Sequence, residues 1–159
     1  MFITRYETKY FNETAMLLAN FRQHLCSFKG DSGSVDIESA KDELNSFIKD
    51  PNFPIYVCVD DDNVVGYMIL RIDGCVWVEQ IFVKEEYRRK GIATLFYKTA
   101  EEVANGDTLF NYVHPNNDAM ISFLKSKGYN VLNLVEIRKP YKGEANKTKI
   151  KVGNNEFDY

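Results

Sequence analysis

Cysteine is scarce in this chain and follows no pattern. The three cysteines, Cys26, Cys58 and Cys75, are odd in number and widely spaced, and no two of them form a Cys-x-x-Cys pair. This spacing argues against the disulfide framework of a small secreted protein, and it does not match the ligand spacing of a zinc site. We therefore expect free thiols in a reducing compartment and no bound metal.

Long apolar runs and a basic surface are also missing. The apolar runs are far shorter than the roughly 20 residues that a helix needs to span a membrane, and no signal-peptide pattern opens the chain. The formal net charge is −3 and the pI is about 5.5, which argues against general binding to nucleic acid. We therefore expect a cytoplasmic protein with neither a membrane nor a nucleic acid as its partner.

The motifs of two common nucleotide-binding folds are absent too, since the sequence has no Gly-x-x-x-x-Gly-Lys loop and no Gly-x-Gly-x-x-Gly fingerprint. What the sequence does contain is the composition of a packed protein, with 45% hydrophobic and 14% aromatic residues in 159 positions. That is enough for one ordinary core. No repeat, low-complexity tract or long linker divides the chain, so residues 1–159 are predicted to form a single domain.

Residue periodicity predicts an alternation of strands and helices. The order is β-α-α-β-β-β-α-β-α-β, with a hairpin over 150–157 as a further element. It predicts an α/β fold with a mixed sheet flanked by helices. The predicted strands lie at 2–6, 55–60, 64–72, 75–83, 108–113 and 129–138, and the predicted helices at about 12–29, 37–48, 92–103 and 117–127.

The segment from residue 75 to residue 103 is the most informative part of the chain. In the predicted strand 75–83, the odd-numbered residues share one face and the even-numbered residues share the other. Both faces are largely apolar, which is typical of a strand inside a sheet. A basic loop, Arg88-Arg89-Lys90-Gly91-Ile92-Ala93, then leads into an amphipathic helix.

This loop has the chemistry of an anion site. A helix N-terminus offers free backbone N–H groups and a positive dipole end, and Gly91 has no side chain to hold an anion away. The cations of Arg88, Arg89 and Lys90 add to the attraction, and arginine binds phosphate oxygens in a bidentate manner. The alternative is a solvated basic turn before an ordinary helix, which the loop alone would favour, and the strand–loop–helix context leaves both interpretations open.

The same loop resembles a signature of the GCN5-related N-acetyltransferase (GNAT) family. It fits Q/R-x-x-G-x-G/A, with Arg88 first, Gly91 fourth and Ala93 sixth. Further along, residues 117–129 resemble the second acyl-CoA motif of that family: Asn117, a short helix, and then Gly128-Tyr129. The two motifs cover roughly the second half of the chain, and the first half carries no signature.

The resemblance implies an enzyme that uses acetyl-CoA and transfers the acetyl group directly to a primary amine in a ternary complex. The loop from Arg88 to Ala93, which includes Ile92, would bind the pyrophosphate. The pantetheine arm would pair with the strand edge at Ile81, Phe82 and Val83, where this strand diverges from the strand 108–113. A backbone N–H near Ile81 would polarise the thioester carbonyl. Asn117 would contact the pantetheine arm, and an N-cap for the next helix is its alternative role.

Glu79 is the predicted general base. It lies in an otherwise apolar strand two residues before the proposed oxyanion donor, and partial burial makes a carboxylate a better proton acceptor. In several relatives a glutamate at the matching position has this role. Alternatively, Glu79 anchors a cationic acceptor or pairs with a neighbouring basic side chain.

Leu124 departs from the family pattern, because many relatives have a tyrosine there as general acid. The alternative function is therefore a non-catalytic module that binds acyl-CoA. The acceptor amine stays open between a small metabolite, a polyamine, an aminoglycoside and a peptide. We also expect the loop Gly30–Ser34 to control substrate access, and the alternative is a plain surface loop. A homodimer formed through Ile150–Tyr159 is a further expectation.

Overall fold

The computed structural model describes residues 1–30, 33–144 and 148–159. The chain forms two compact units, Met1–Asn116 and Asn117–Tyr159. Two residues of the predicted access loop, Asp31 and Ser32, lie outside the described residues. The first unit contains β1 (Phe2–Arg5), α1 (Phe11–Phe28), α2 (Ile37–Lys49), β2 (Ile55–Asp60), β3 (Asn63–Asp73), β4 (Cys75–Val83), α3 (Ile92–Ala104) and β5 (Leu109–Asn111), with short 3-10 turns at Thr8–Tyr10 and Glu85–Tyr87.

The described strands of the first unit form one mixed sheet in the order β1-β2-β3-β4-β5. The pairs from β1 to β4 are antiparallel, and β5 runs parallel to β4. The β4–α3–β5 segment is therefore the β-α-β unit that the sequence predicts. The tight turn between β2 and β3 uses Asp61 and Asp62, whose φ angles are 45° and 66°, so the aspartates serve a hairpin turn.

Local sequence signals set the ends of the helices. Asp36 caps α2 by accepting a hydrogen bond of 3.0 Å from the backbone N–H of Ser39, which satisfies one of the free donors of the first turn. The predicted stop of α3 is confirmed, because Asn105 and Gly106 adopt left-handed φ angles of 50° and 92°. Among the helices of the described ranges, none has both the length and the apolar character to cross a bilayer.

Helices cover both faces of this sheet. Successive residues of β3 point to opposite faces: Tyr67 meets Phe21 of α1 edge to face at 6.5 Å, whereas Gly66 lies beside Phe96 of α3. Burial of these apolar faces is the main stabilising contribution. The core between the sheet, α1 and α2 includes the buried residues Leu17, Leu18, Leu44, Val57, Tyr67 and Ile69.

The second unit contains one described helix and one described hairpin. Its elements are α4 (Asp118–Ser126), β6 (Lys149–Val152) and β7 (Asn155–Asp158). The hairpin turns at Gly153, whose φ is 61°, and Ile150 pairs with Phe157 across it. The hairpin predicted at the end of the chain is confirmed.

The strand predicted at 129–138 is wrong. All ten residues lie within the described part of the chain, and they form neither strand nor helix. Their apolar side chains stay exposed: Val131 is 88% exposed, Leu132 78% and Ile137 68%. Alternating apolar residues favour a strand, but a strand also needs a ladder partner. In the described part of this unit, β6 and β7 pair with each other.

Candidate functional site

The first feature of the candidate site is an opening between β4 and β5. These parallel strands pair only over Val76–Leu109, Trp77–Phe110 and Val78–Asn111 in the described residues. Beyond Val78, the edge of β4 that faces β5 has no ladder partner in the described chain. We call this unpaired edge, residues 79–83 of β4, the open half of the strand. Apart from the Val83 carbonyl, which accepts a hydrogen bond from Arg88, the backbone groups of this edge are available to pair with an extended ligand.

A β-bulge marks the point where the strands part. On the β3 side of β4, Ile69 pairs with Gln80 and Leu70 pairs with Val78, so Glu79 is the extra, unpaired residue. The bulge overturns the predicted split into odd and even faces, because one extra residue reverses the alternation. Its consequence is that Glu79 and Gln80, although consecutive, lie on the same face of the sheet, the one that α1 and α2 cover.

Glu79 forms an ion pair with Arg71 of β3. Glu79 Oε2 lies 3.3 Å from Arg71 Nε, and the two side chains are 28% and 27% exposed. Within the described residues, both atoms are buried and have no hydrogen-bond partner. Such atoms call for a specific explanation, and a ligand is one. The pairing matches the alternative that a basic neighbour holds Glu79, and its role as a base stays a prediction.

Aromatic rings hold Arg71 in place. The ring of Trp77 stacks on Phe110 at 4.6 Å and on Tyr112 at 4.8 Å. The Arg71 guanidinium lies 5.1 Å from the centre of the Trp77 ring and donates a hydrogen bond of 3.1 Å to the Tyr112 hydroxyl. Cation–π contacts of this kind are stabilising, so Glu79 faces a fixed cation beside a flat aromatic surface.

The start of α3 lies next along the chain. Gly91 occupies the N-cap position with a φ of 85°, and no side chain of the described residues caps this end. Glycine adopts this left-handed conformation without strain. Arg88, Arg89 and Lys90 are exposed, whereas Ile92 is buried. The first N–H groups of α3 and three exposed cations therefore fit an anion such as a pyrophosphate.

Arg88 connects this loop to the open half of β4. Its Nε donates a hydrogen bond of 3.1 Å to the carbonyl oxygen of Val83, and its guanidinium lies 5.4 Å from the centre of the Phe82 ring. Lys90 lies over the ring of Tyr87 at 4.6 Å. The structure thus brings the predicted pyrophosphate loop and the predicted pantetheine edge together, with Arg88 as the direct contact.

Two histidine rings contact Phe28, and one of them, His24, also lies beside β4. The His24 ring is 6.3 Å from the Phe82 ring, and Phe28 stacks on His114 at 5.0 Å. Burial lowers the pKa of His24, and the Arg88 charge lowers it further. The pKa of His114 is lowered by burial and then by Lys29. Both rings therefore favour the neutral form.

Asn117 and Leu124 belong to the second unit. The Asn117 side chain caps α4, because its Oδ1 accepts a hydrogen bond of 3.1 Å from the backbone N–H of Met120. The structure thus shows the capping role of Asn117, and its contact with a coenzyme stays a prediction. Leu124 is buried and offers no proton to a leaving group.

Sequence reasoning missed four side chains that support the bulge: Arg22, Glu43, Tyr67 and Gln80. They form one hydrogen-bonded network. The available signal was Gln80, a neutral polar residue within an otherwise apolar strand. Its partners come from other elements, and local patterns do not reveal them.

This combination of fold and site agrees with the family comparison. The sequence model of the acetyltransferase (GNAT) family matches residues 18–129, which is more than half of the chain. The protein therefore belongs to the GNAT family, and the predicted family and fold class are confirmed.

Several proteins with related sequence or fold are named as acetyltransferases. "Probable N-acetyltransferase san" of Drosophila melanogaster is 31% identical over 85 residues, which cover 48% of this chain and 46% of that protein, so the chain spans about half the length of this curated relative. The aminoglycoside 6'-N-acetyltransferase AAC(6')-IG of Acinetobacter haemolyticus superposes with a TM-score of 0.69 at 15% identity, over 89% of this chain and 99% of that chain. AAC(6')-Iy in complex with a bisubstrate analogue of coenzyme A has a TM-score of 0.66 at 13% identity, over 87% and 97% of the two chains.

Proposed function

We propose that the protein is an acetyl-CoA-dependent N-acetyltransferase that acts on a primary amine. The observation that carries this proposal is the β4–β5 opening, which begins at the bulge beside Glu79 and ends beside the basic start of α3. We further propose that residues 1–159 form one acetyltransferase domain. The family match supports this, because it runs from the first unit into the second.

The coenzyme would be held by two backbone surfaces. The N–H groups at the start of α3, with Arg88, Arg89 and Lys90, would bind the pyrophosphate. The open half of β4 would pair with the amides of the pantetheine arm at Ile81, Phe82 and Val83, as an added strand does. When bound, the thioester supplies an activated acetyl group. The coenzyme A analogue bound by AAC(6')-Iy supports this choice of cosubstrate.

The residues of the open half would then promote acetyl transfer. Glu79 takes a proton from the acceptor ammonium, directly or through water, so that the amine nitrogen has a free electron pair. The backbone N–H near Ile81 donates a hydrogen bond to the thioester carbonyl oxygen as the C–N bond forms and the C–S bond breaks. With Leu124 in the place of a tyrosine, the leaving sulfur would take up a proton through water or another tyrosine, and the second proton that the nitrogen loses as the amide forms would replace it.

The acceptor would be a cationic amine, and its class is open between a small metabolite, a polyamine, an aminoglycoside and a peptide amine. Two aminoglycoside acetyltransferases among the structural relatives support a small-molecule acceptor. The Glu79 carboxylate carries the charge that complements a cationic acceptor, whereas the rings of Trp77 and Tyr112 already contact Arg71. We place the enzyme in the cytoplasm because its three cysteines are free thiols. A homodimer through Ile150–Tyr159 stays a prediction.

The experiment that tests this function is the release of free coenzyme A from acetyl-CoA in the presence of pooled amines. The pools contain polyamines, amino acids, aminoglycosides and short peptides. We expect amine-dependent release from one pool, and dividing that pool identifies the acceptor. Silence in every pool, with acetyl-CoA well above its dissociation constant, would contradict the proposal.

A non-catalytic acyl-CoA-binding module is the second candidate. Two observations favour it: Arg71 already pairs with Glu79, and Leu124 stands where many relatives have the general acid. Calorimetry with coenzyme A separates the two candidates. Tight binding without turnover on any amine identifies the module, and binding together with turnover identifies the enzyme.

A further inference from the structure

Gln80 is a polar side chain buried in the core beside the bulge. It is 5% exposed, and it is bonded at both ends of its amide. Its Oε1 accepts a hydrogen bond of 3.0 Å from the hydroxyl of Tyr67, and its Nε2 donates one of 2.8 Å to Glu43 Oε1. A buried amide that is satisfied on both sides fixes its own orientation and that of the backbone which carries it.

The chemistry of the two partners permits one orientation of this amide. Burial raises the pKa of Tyr67 well above its usual value, and the nearby Glu43 carboxylate raises it further. The phenol therefore stays a donor, and the carboxylate is an acceptor. Turning the amide over would place its N–H₂ group against the donor and its oxygen against the carboxylate, which the surroundings disfavour.

Glu43 is itself held by α1. Arg22 Nε donates a hydrogen bond of 3.0 Å to Glu43 Oε2, and a second guanidinium nitrogen contacts Glu43 Oε1. Two parallel contacts of this kind hold a carboxylate in a fixed position. The network therefore connects Arg22 of α1 and Glu43 of α2 to Gln80 of β4, with Tyr67 of β3 on the far side of the amide.

The position of Gln80 in the strand gives this network its significance. Gln80 directly follows the bulge residue Glu79 and directly precedes Ile81. A bulge interrupts the ladder and changes where the neighbouring groups point. Because β5 pairs only as far as Val78 in the described residues, no ladder on that side steadies this part of β4. The side-chain network anchors the strand instead.

We propose that Gln80 is a positioning residue for acetyl transfer. Through Tyr67 and Glu43 it holds the bulge in the geometry that aims both the Glu79 carboxylate and the backbone N–H near Ile81 at the reacting group. This inference rests on the proposed function, since it names residues that orient the same site. Misplacement of a reacting group by about 1 Å costs on the order of 100-fold in rate.

The test exchanges the amide of Gln80 and the carboxylate of Glu43 between the two positions. Gln80→Glu places a carboxylate against Glu43, and the repulsion should displace the bulge. Adding Glu43→Gln restores one donor and one acceptor between the two side chains. We expect Gln80→Glu to lower kcat by about 100-fold, with KM for acetyl-CoA changed by less than about threefold, and we expect the double variant to recover most of kcat.

Glu38→Gln is the matched control. Like Glu43→Gln, it replaces a glutamate of α2 with glutamine, but on the exposed surface of the helix, where Glu38 pairs with Lys41 at 2.8 Å. It should leave kcat and KM unchanged. Calorimetry with coenzyme A shows whether each variant still binds, and thermal unfolding shows whether each is folded.

A readout without turnover keeps this inference separate from the proposed function. The ¹⁵N–¹H shifts of residues 79–81 should move in Gln80→Glu and return toward the wild-type values in the double variant. If wild type acetylates no amine, the proposed function fails, and these shifts still report whether the network holds the bulge. Unmoved shifts, or a folded Gln80→Glu protein with wild-type kcat, would overturn the proposal. A double variant that recovers wild-type stability without recovering kcat would also overturn the proposal.

Discussion

The two halves of β4 differ in composition and in surroundings: residues 75–78 are all apolar, whereas residues 79–83 begin with Glu79 and Gln80. Residues 75–78 pair with β3 on one side, and three of these four residues pair with β5 on the other. In the open half, residues 80–83 pair with β3 alone in the described chain, and the bulge residue Glu79 has no ladder partner there. The first half is therefore a closed structural element, whereas the second leaves backbone donors and acceptors for a ligand. A single strand can thus combine a structural and a functional segment.

The open half is held by side chains where the ladder is missing. Gln80 bonds to Tyr67 and Glu43, Phe82 packs against Phe21 of α1 at 6.3 Å, and the Val83 carbonyl accepts a hydrogen bond from Arg88. An exposed edge that lacked such contacts would tend to fray or to pair with another strand. Substitutions in the first half should therefore affect stability, and substitutions in the second half should affect activity.

The largest expected effect is in the open half. Replacing Glu79 with glutamine should lower kcat by roughly 100- to 1,000-fold, because an amide cannot accept the ammonium proton. Affinity for coenzyme A should stay within about twofold, since the proposed pyrophosphate and pantetheine contacts are made by other residues. Steady-state release of coenzyme A and calorimetry measure the two quantities.

Asp73→Asn is the matched control for this substitution. Asp73 is 79% exposed and lies 3.9 Å from the same arginine, Arg71. It should change kcat by less than about threefold, because an exposed ion pair contributes little. Equal turnover of wild type and Glu79→Gln would remove Glu79 from the role of base, and an equal loss in both variants would assign the effect to Arg71.

The next effect is in the closed half. Val76 is 7% exposed and pairs with Ile72 and Leu109 on its two sides. Truncation to alanine should lower the free energy of unfolding by about 2 kcal/mol, because it removes two buried methyl groups and leaves a cavity. Urea unfolding measures this loss, and kcat per folded molecule should stay within about twofold. Wild-type stability, or a large fall in kcat, would break the contrast between the two halves.

Most of the fold could be predicted because its signals are local. Helical spacing located α1, α2 and α3, alternation located the first strands, and turn residues such as Asp61 and Asn105 adopt the left-handed conformations that end an element. The loop from Arg88 to Ala93 combined a glycine, three cations and a helix start within six residues. A pattern that compact can be recognised without knowing the rest of the structure.

The remaining features depend on partners distant in sequence. The bulge at Glu79 is a matter of register between β3 and β4, and alternation alone does not reveal it. The ion pair between Arg71 and Glu79 and the contact between Glu43 and Gln80 join residues 8 and 37 positions apart. The prediction of a strand at 129–138 was wrong for a related reason, since its pattern has no ladder partner among the residues that the structure describes.

A third, smaller effect tests the loop that follows the open half. Gly91→Ala places a side chain at a φ of 85°, which should cost about 1 kcal/mol in stability. The strain falls on the proposed pyrophosphate site, so affinity for coenzyme A should decrease roughly five- to tenfold, in keeping with about 1 kcal/mol. Calorimetry and urea unfolding measure the two losses.

Gly106→Ala supplies the matched control at the other end of the same helix. Gly106 has a φ of 92°, and a Cβ added there, as at Gly91, would meet nothing within 4 Å. The stability loss should therefore be similar, while affinity for coenzyme A should stay unchanged. Equal affinities for Gly91→Ala and wild type would show that the loop does not bind the coenzyme.

The smallest effect concerns the pH dependence of stability through His24, whose ring contacts Phe82 of the open half. Burial and Arg88 lower its pKa in the folded state below the ordinary value of 6.5. Between the pKa of His24 in the folded state and that in the unfolded state, the unfolded chain binds more protons. The contribution of the neutral ring to stability is therefore fully present above about pH 6.5, and it is lost as the pH falls through the folded pKa. In urea unfolding at pH 8 and pH 5, His24→Gln should therefore lose less stability on acidification than wild type. The ring is partly exposed and solvent screens its charge, so the difference should be the smallest of the four. An equal acid-induced loss in both proteins would show that burial and Arg88 do not disfavour the charged ring.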